Sequence, residues 1–126
     1  MDALTTINEI DANILVELSY TNVKTGEPAT TFCKAAFNKG MHVVTSNKGL
    51  MALFCHELKK LAEAKNLFFG IEGTVMSGTP VLKNALKNLA GCSISKIRGI
   101  LNGTTNYILS QMEYSNSYSE DRKSVV

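Results

Sequence analysis

The stretch MHVVTSNKGLMALFCHELKKLAEAKNLFFGI, residues 41–71, decides the fold. It opens on a branched apolar run, Met41 to Thr45, that reads as a buried strand. Leu50, Leu53, Phe54, Leu58 and Leu61 then recur at spacings of three and four, while Glu57, Lys59, Lys60 and Glu63 stay off that stripe. This is the pattern of an amphipathic helix. Leu67 to Ile71 returns to a strand. A strand, a helix and a strand joined by short connections imply a right-handed crossover between parallel strands.

The same alternation extends to both sides. Upstream, Ile14 to Ser19 reads as a strand, followed by the turn-rich TNVKTGEP and a helix that Pro28 can open. Phe32, Ala35 and Ala36 mark its apolar face, and Gly40 ends it. Downstream, Pro80 can open a third helix with the stripe Leu82, Ala85, Leu86 and Leu89, closed by Gly91. Ile94 to Leu101 is expected to be a fourth strand and Thr104 to Met112 a fourth helix. Four strand-helix units place the chain in the α/β class, as a partial Rossmann-type parallel sheet with flanking helices. Ile14 to Ser19 follows only about a dozen residues, too few to supply the neighbour that a doubly buried parallel strand needs, so part of the sheet is expected to be missing. Tyr114 to Val126 loses apolar periodicity and reads as an irregular tail.

Composition excludes several classes. A length of 126 residues with 44% hydrophobic and 19% charged residues can form one real core, which argues against a disordered chain. The net charge is +2 and the basic residues form no run longer than two, so the footprint of a nucleic-acid binder is missing. The longest apolar stretch, Gly49 to Cys55, falls far short of the roughly 20 residues of a membrane span. The acidic start MDALTTINEID does not read as a secretory signal. Cys33, Cys55 and Cys92 cannot all pair, and reduced thiols in a cytoplasmic protein are the simplest account.

No two of the nine glycines are two residues apart, so neither a dinucleotide fingerprint nor a phosphate loop is present. His42 and His56 have no partner at metal spacing and read as structural or surface residues. Cys33 and Cys55 sit among apolar neighbours and read as packing groups rather than nucleophiles.

Three loops stand out because each follows an expected strand C-terminus, where open parallel sheets bind ligands. In Thr45-Ser46-Asn47-Lys48-Gly49, the lysine can reach a ligand oxygen while Asn47 fixes the loop; an ordinary helix cap with a solvated lysine explains the residues as well. Glu72 to Pro80, EGTVMSGTP, can fold carbonyls and one carboxylate around a hard cation, or simply connect a strand to a helix with Thr79 as cap. Gly99 to Asn106, GILNGTTN, offers amides and hydroxyls at a helix start, a seat for a carboxylate or a capping box without a ligand.

Taken in order, HVVTSNKG, EGTVMSGTPVL and IRGILNGTTNYILSQM, with ELSYTNVKTGEPA before them, resemble the homoserine dehydrogenase family over about Asn13 to Met112. The resemblance implies an NAD- or NADP-dependent oxidoreductase that interconverts L-homoserine and L-aspartate 4-semialdehyde, in threonine, methionine and isoleucine biosynthesis. It implies that residues 1–72 are the back of a cofactor domain and 73–113 the start of a substrate and dimerisation domain, before the tail at 114–126. Ser19, Asn47 and Lys48 would approach the cofactor, with Lys48 as an auxiliary catalytic group. Gly103 and Thr104 would line the homoserine pocket. Glu72 through its carboxylate, and Val75, Ser77 and Thr79 through their carbonyls, would hold a monovalent cation, Na+. The family is dimeric, and neither nucleic acid nor membrane is implied as a partner.

Departures accompany the match. Relatives often have further glycine where Met76 and Ser77 stand. The pyrophosphate-binding glycine turn and the downstream catalytic lysine are missing, and Asp121 and Lys123 are not given that lysine's role, so the chain is expected to be shortened at both ends and to have little or no activity alone. The competing reading is a non-catalytic Rossmann-like interaction or dimerisation module in which the strand Ile94 to Leu101 pairs with another chain.

Overall fold

The computed structural model describes residues 2–100 and 102–113. It divides into two compact units, Met1–Ala90 and Gly91–Val126. The first holds α1 (Ala3–Glu9), β1 (Ile14–Glu17), α2 (Ala29–Lys39), β2 (His42–Thr45), α3 (Lys48–Ala64), β3 (Phe69–Gly70), a 3-10 turn (Glu72–Thr74) and α4 (Val81–Lys83), which runs into a π-helical turn (Asn84–Asn88). The second holds α5 (Gly103–Met112).

The sheet is parallel throughout, in the order β1-β2-β3. Ile14 pairs with His42 and Glu17 with Thr45, while Val43 and Val44 pair with Phe69 and Gly70. Strand alternation sends Leu15, Val43 and Phe69 inward, where they meet α2 and α3. Phe37, Leu50, Leu58, Val43 and Cys33 are fully buried there, and Phe37 meets Phe69 edge-on at 5.4 Å between ring centroids. Ile14, Val16 and Val44 point to the opposite face and are exposed. The fold is thus α/β with a three-stranded parallel sheet, and most of its helical stripe packs as the spacing predicts: Leu50 and Leu58 are buried and Phe54 and Leu61 half-buried, whereas Leu53 at the stripe's margin is exposed.

Three expectations change. Residues 93–100 take no strand, and Ile94, Ile97 and Ile100 are exposed. Those apolar residues recur every third position rather than alternating, so they build no single strand face. Among the described residues the sheet therefore has three strands rather than four. The helix expected from Pro80 to Gly91 is α-helical only over Val81–Lys83, then widens, with the Leu89 N–H donating to the Asn84 carbonyl at 3.0 Å. The widened turn is tied by Asn88 Nδ2, which donates to Asn84 Oδ1 at 2.7 Å. Finally, α1 precedes the first strand where no element was read. Asp2 caps it by accepting from the Thr5 N–H at 2.8 Å, and Lys39 Nζ donates to the carbonyls of Ile7 and Ile10 at its other end. Seven residues, about two turns, offer too few periods for a pattern to show. The tail expected over 114–126 lies outside the described residues.

Gly26 in the connection from β1 to α2 shows how tightly the chain is folded back. Its φ is +74°, and an added Cβ would lie 2.5 Å from the Phe54 ring and 2.8 Å from Thr30 Oγ1. Gly26→Ala therefore combines left-handed strain with overpacking, and we expect a loss of about 1–3 kcal/mol in urea unfolding. An unchanged midpoint would show that the turn is free to move away from α3.

Candidate functional site

The site sits at the C-terminal edge of the sheet, because parallel strands end together. Glu17 closes β1 and Thr45 closes β2, and the register places them side by side. Both point inward and are 3% exposed. Glu17 Oε2 accepts from Thr45 Oγ1 at 2.9 Å, and Glu17 Oε1 accepts from the Ser19 N–H at 2.8 Å and from the Ser19 hydroxyl. Three donors converge on one carboxylate, which satisfies a charge that would otherwise be costly to bury.

Thr45 passes the connection on. Its Oγ1 accepts from the Asn47 N–H at 3.0 Å. Asn47 Nδ2 donates to the Ser19 carbonyl at 3.0 Å and to the Thr21 hydroxyl, while its Oδ1 accepts from the Leu50 N–H at 3.4 Å as the N-cap of α3. One asparagine thus caps a helix and locks the loop after β1 to the loop after β2. Gly49 allows this closeness, since a Cβ there would lie 3.2 Å from Thr21 Cγ2.

Lys48 begins α3 and is exposed. It borders a cavity of about 330 Å³ shared with Met51, Cys55, Ile71, Thr74, Val75 and Leu82. The loop after β3 lies alongside: a Cβ on Gly73 would stand 3.1 Å from Ser46 Cβ. Thr45 to Gly49 and Glu72 to Thr79 therefore share one edge of the sheet, as parallel strands require. Met76 and Ser77 have φ of +56° and +51°, the region that favours glycine. Glu72 accepts from the N–H groups of Leu82 and Lys83, at 3.1 and 3.0 Å. The Thr79 carbonyl accepts from the Val81 N–H at 2.7 Å, whereas among the described residues those of Val75 and Ser77 accept no hydrogen bond.

Gly103 and Thr104 occupy the first turn of α5 in the second unit. Asn102 caps that helix, its Oδ1 accepting from the Thr105 N–H at 2.9 Å. The sequence reading singled out Ser19, Asn47 and Lys48 here but passed over Glu17, Thr21 and Thr45 as site residues. A lone carboxylate inside the strand ILVELS was the available signal. Among the described residues no three His, Cys, Asp or Glu side chains gather as a metal cluster. His42 has a structural partner, its Nδ1 accepting from the Phe68 N–H at 2.9 Å. No helix of the described residues is long and apolar enough to cross a membrane.

Cys33 lies beneath this edge. Burial, and then the charge of Glu17, push its thiol up to about 12 from an ordinary 9.0. Below pH 9 both folded and unfolded chains keep this proton. Above it the unfolded chain loses the proton first, so stability falls as pH rises from about 9 to about 12. We expect this slope to be shallower in Cys33→Ala; equal slopes in urea titrations would show that the thiol is solvated.

Known proteins supply the remaining observation. The homoserine dehydrogenase family model matches residues 80–124. The NAD(+)-dependent homoserine dehydrogenase of Pseudomonas canavaninivorans is 50% identical over 114 residues, covering 90% of this chain and 32% of its own length. This chain resembles homoserine dehydrogenase. The homoserine dehydrogenase of Methanocaldococcus jannaschii is 44% identical over 113 residues, 90% of this chain and 34% of its own. Among solved structures, a hyperthermophilic archaeal homoserine dehydrogenase in complex with NADPH has a TM-score of 0.83 at 31% identity, over 98% of this chain and 37% of that one. The homoserine dehydrogenase of Thiobacillus denitrificans gives 0.78 at 34% identity, over 89% of this chain and 25% of that one. The chain thus spans about a third of the length of the curated homoserine dehydrogenases it matches first.

Proposed function

We propose that the chain carries part of the cofactor and substrate site of a homoserine dehydrogenase. The reaction is L-homoserine plus NAD(P)+ to L-aspartate 4-semialdehyde plus NAD(P)H. The observation that carries this reading is the Asn47 lock, which sets Ser19 and Lys48 on adjoining loops at the ligand-binding edge of a parallel sheet.

The residues fit the nicotinamide end of the cofactor. The Ser19 hydroxyl spends its proton on Glu17, which leaves its lone pairs to accept from a carboxamide N–H. The cofactor, when bound, supplies the hydride acceptor. Asn47 orients the loop that meets it, and Lys48 holds the substrate oxygen and assists the proton as the alcohol becomes a carbonyl. Gly103 and Thr104 seat homoserine. In the cation loop the free carbonyls of Val75 and Ser77 support Na+ binding, together with the remaining lone pairs of Glu72 and Thr79. Residues 1–72 form the cofactor part and 73–113 the opening of the substrate part, in a cytoplasmic enzyme whose functional form is a dimer. The interaction-module reading draws on the missing glycine-rich and catalytic segments and needs a strand over 94–101 paired with another chain; within this chain residues 94–100 take no strand.

Titrating the purified chain with NADH and NADPH in the presence of L-homoserine tests the reading. Weak nucleotide binding is expected, with little or no turnover of homoserine by this chain alone. Absence of any binding with both nucleotides would overturn it.

A further inference from the structure

The buried carboxylate of Glu17 has no part in the roles assigned above, yet it joins Ser19 to Thr45 beneath the Asn47 lock. It sits in the strand and is 3% exposed, and neither ion pair among the described residues includes it. Its partners are neutral: the Ser19 N–H and hydroxyl on Oε1, the Thr45 hydroxyl on Oε2. The Ser19 N–H can only donate, and the Thr45 hydroxyl accepts from the Asn47 N–H while donating its own proton to Glu17. The carboxylate thus accepts at both oxygens, which a carboxamide of the same shape cannot do. A simpler apolar strand end would bury this position with less desolvation. What the carboxylate adds is geometric: it clamps the loop after β1 to the end of β2, one side holding Ser19 and the other, through Thr45, holding Asn47.

Resting on the reading above, we propose that Glu17 is a positioning residue that sets Ser19 and Asn47 at the spacing the nicotinamide requires. Glu17→Gln keeps the volume and one acceptor but opposes an NH2 group to one of the three donors. Thr45→Val removes the link from the other side, and Thr45→Ser keeps its hydroxyl.

The test measures amide hydrogen exchange by NMR and NADPH affinity by titration in the purified chain and these three variants. In Glu17→Gln and Thr45→Val, exchange at the Ser19 and Asn47 amides should accelerate roughly tenfold or more, while Phe37 and Leu58 in the core keep their protection. NADPH should bind roughly tenfold more weakly in both variants, and Thr45→Ser should restore both quantities toward the parent values. Unchanged exchange at Ser19 and Asn47 would overturn the proposal, as would a uniform rise that includes the core amides, which would make Glu17 a fold residue only. If the parent chain binds no NADPH, the nicotinamide reading fails, and the Ser19 and Asn47 amides still decide whether Glu17 holds the two loops.

Discussion

Phe37→Ala is expected to remove about 3–5 kcal/mol of stability, the largest loss that any single truncation in this chain should produce. Phe37 is fully buried on α2 and meets Phe69 edge-on, so its removal empties the junction between helix layer and sheet. A domain of this size is stable by only about 5–15 kcal/mol, so the loss is a large fraction of the total and the variant should unfold at a much lower urea concentration. Phe68→Ala is the control. Phe68 is 62% exposed on the neighbouring position, and its loss should fall within about 0.5 kcal/mol. Urea midpoints measured by circular dichroism compare the two, and equal shifts would mean that the sheet packs through its other face.

The second large effect concerns Lys48. With residues 13–112 of this chain grafted into a full-length relative, Lys48→Ala should lower homoserine oxidation about 10²- to 10⁴-fold, the range of a lost acid-base group. The fall should appear in kcat with the loop intact, because the Asn47 N-cap and its two loop contacts remain. Lys60→Ala, also exposed on α3, should leave turnover as it was. Turnover equal to that of the parent in Lys48→Ala would remove this lysine from the reaction and leave its solvated-cap reading standing.

The middle of the chain was legible because its signals are local. The three-and-four spacing from Leu50 to Leu61 specifies α3 whatever lies around it, and Gly40, with φ of +89°, ends α2 where a glycine stop was read. Asn47 was visible as a cap because the residue and its Leu50 partner lie three apart. Other elements were misread because their local pattern left the outcome to tertiary context. Ile94, Ile97 and Ile100 are branched and apolar, which favours a strand, but a strand exists only where an edge pairs with it. Near Pro80 the stripe Leu82 to Leu89 does suit a helix, yet it stays largely exposed, and little packing enforces regular α-geometry.

Sequence by itself determined the α/β alternation, the crossover between β2 and β3, and the loops that must gather at the strand C-termini, since each follows from periodicity and chain chirality. Only the tertiary structure decided how those loops are joined. Glu17 and Thr45 are 28 residues apart, and so are Ser19 and Asn47. No periodic signal links positions at that distance. Their contact depends on the parallel register that sets Glu17 opposite Thr45, and a shift of one residue would turn the carboxylate to the other face of the sheet.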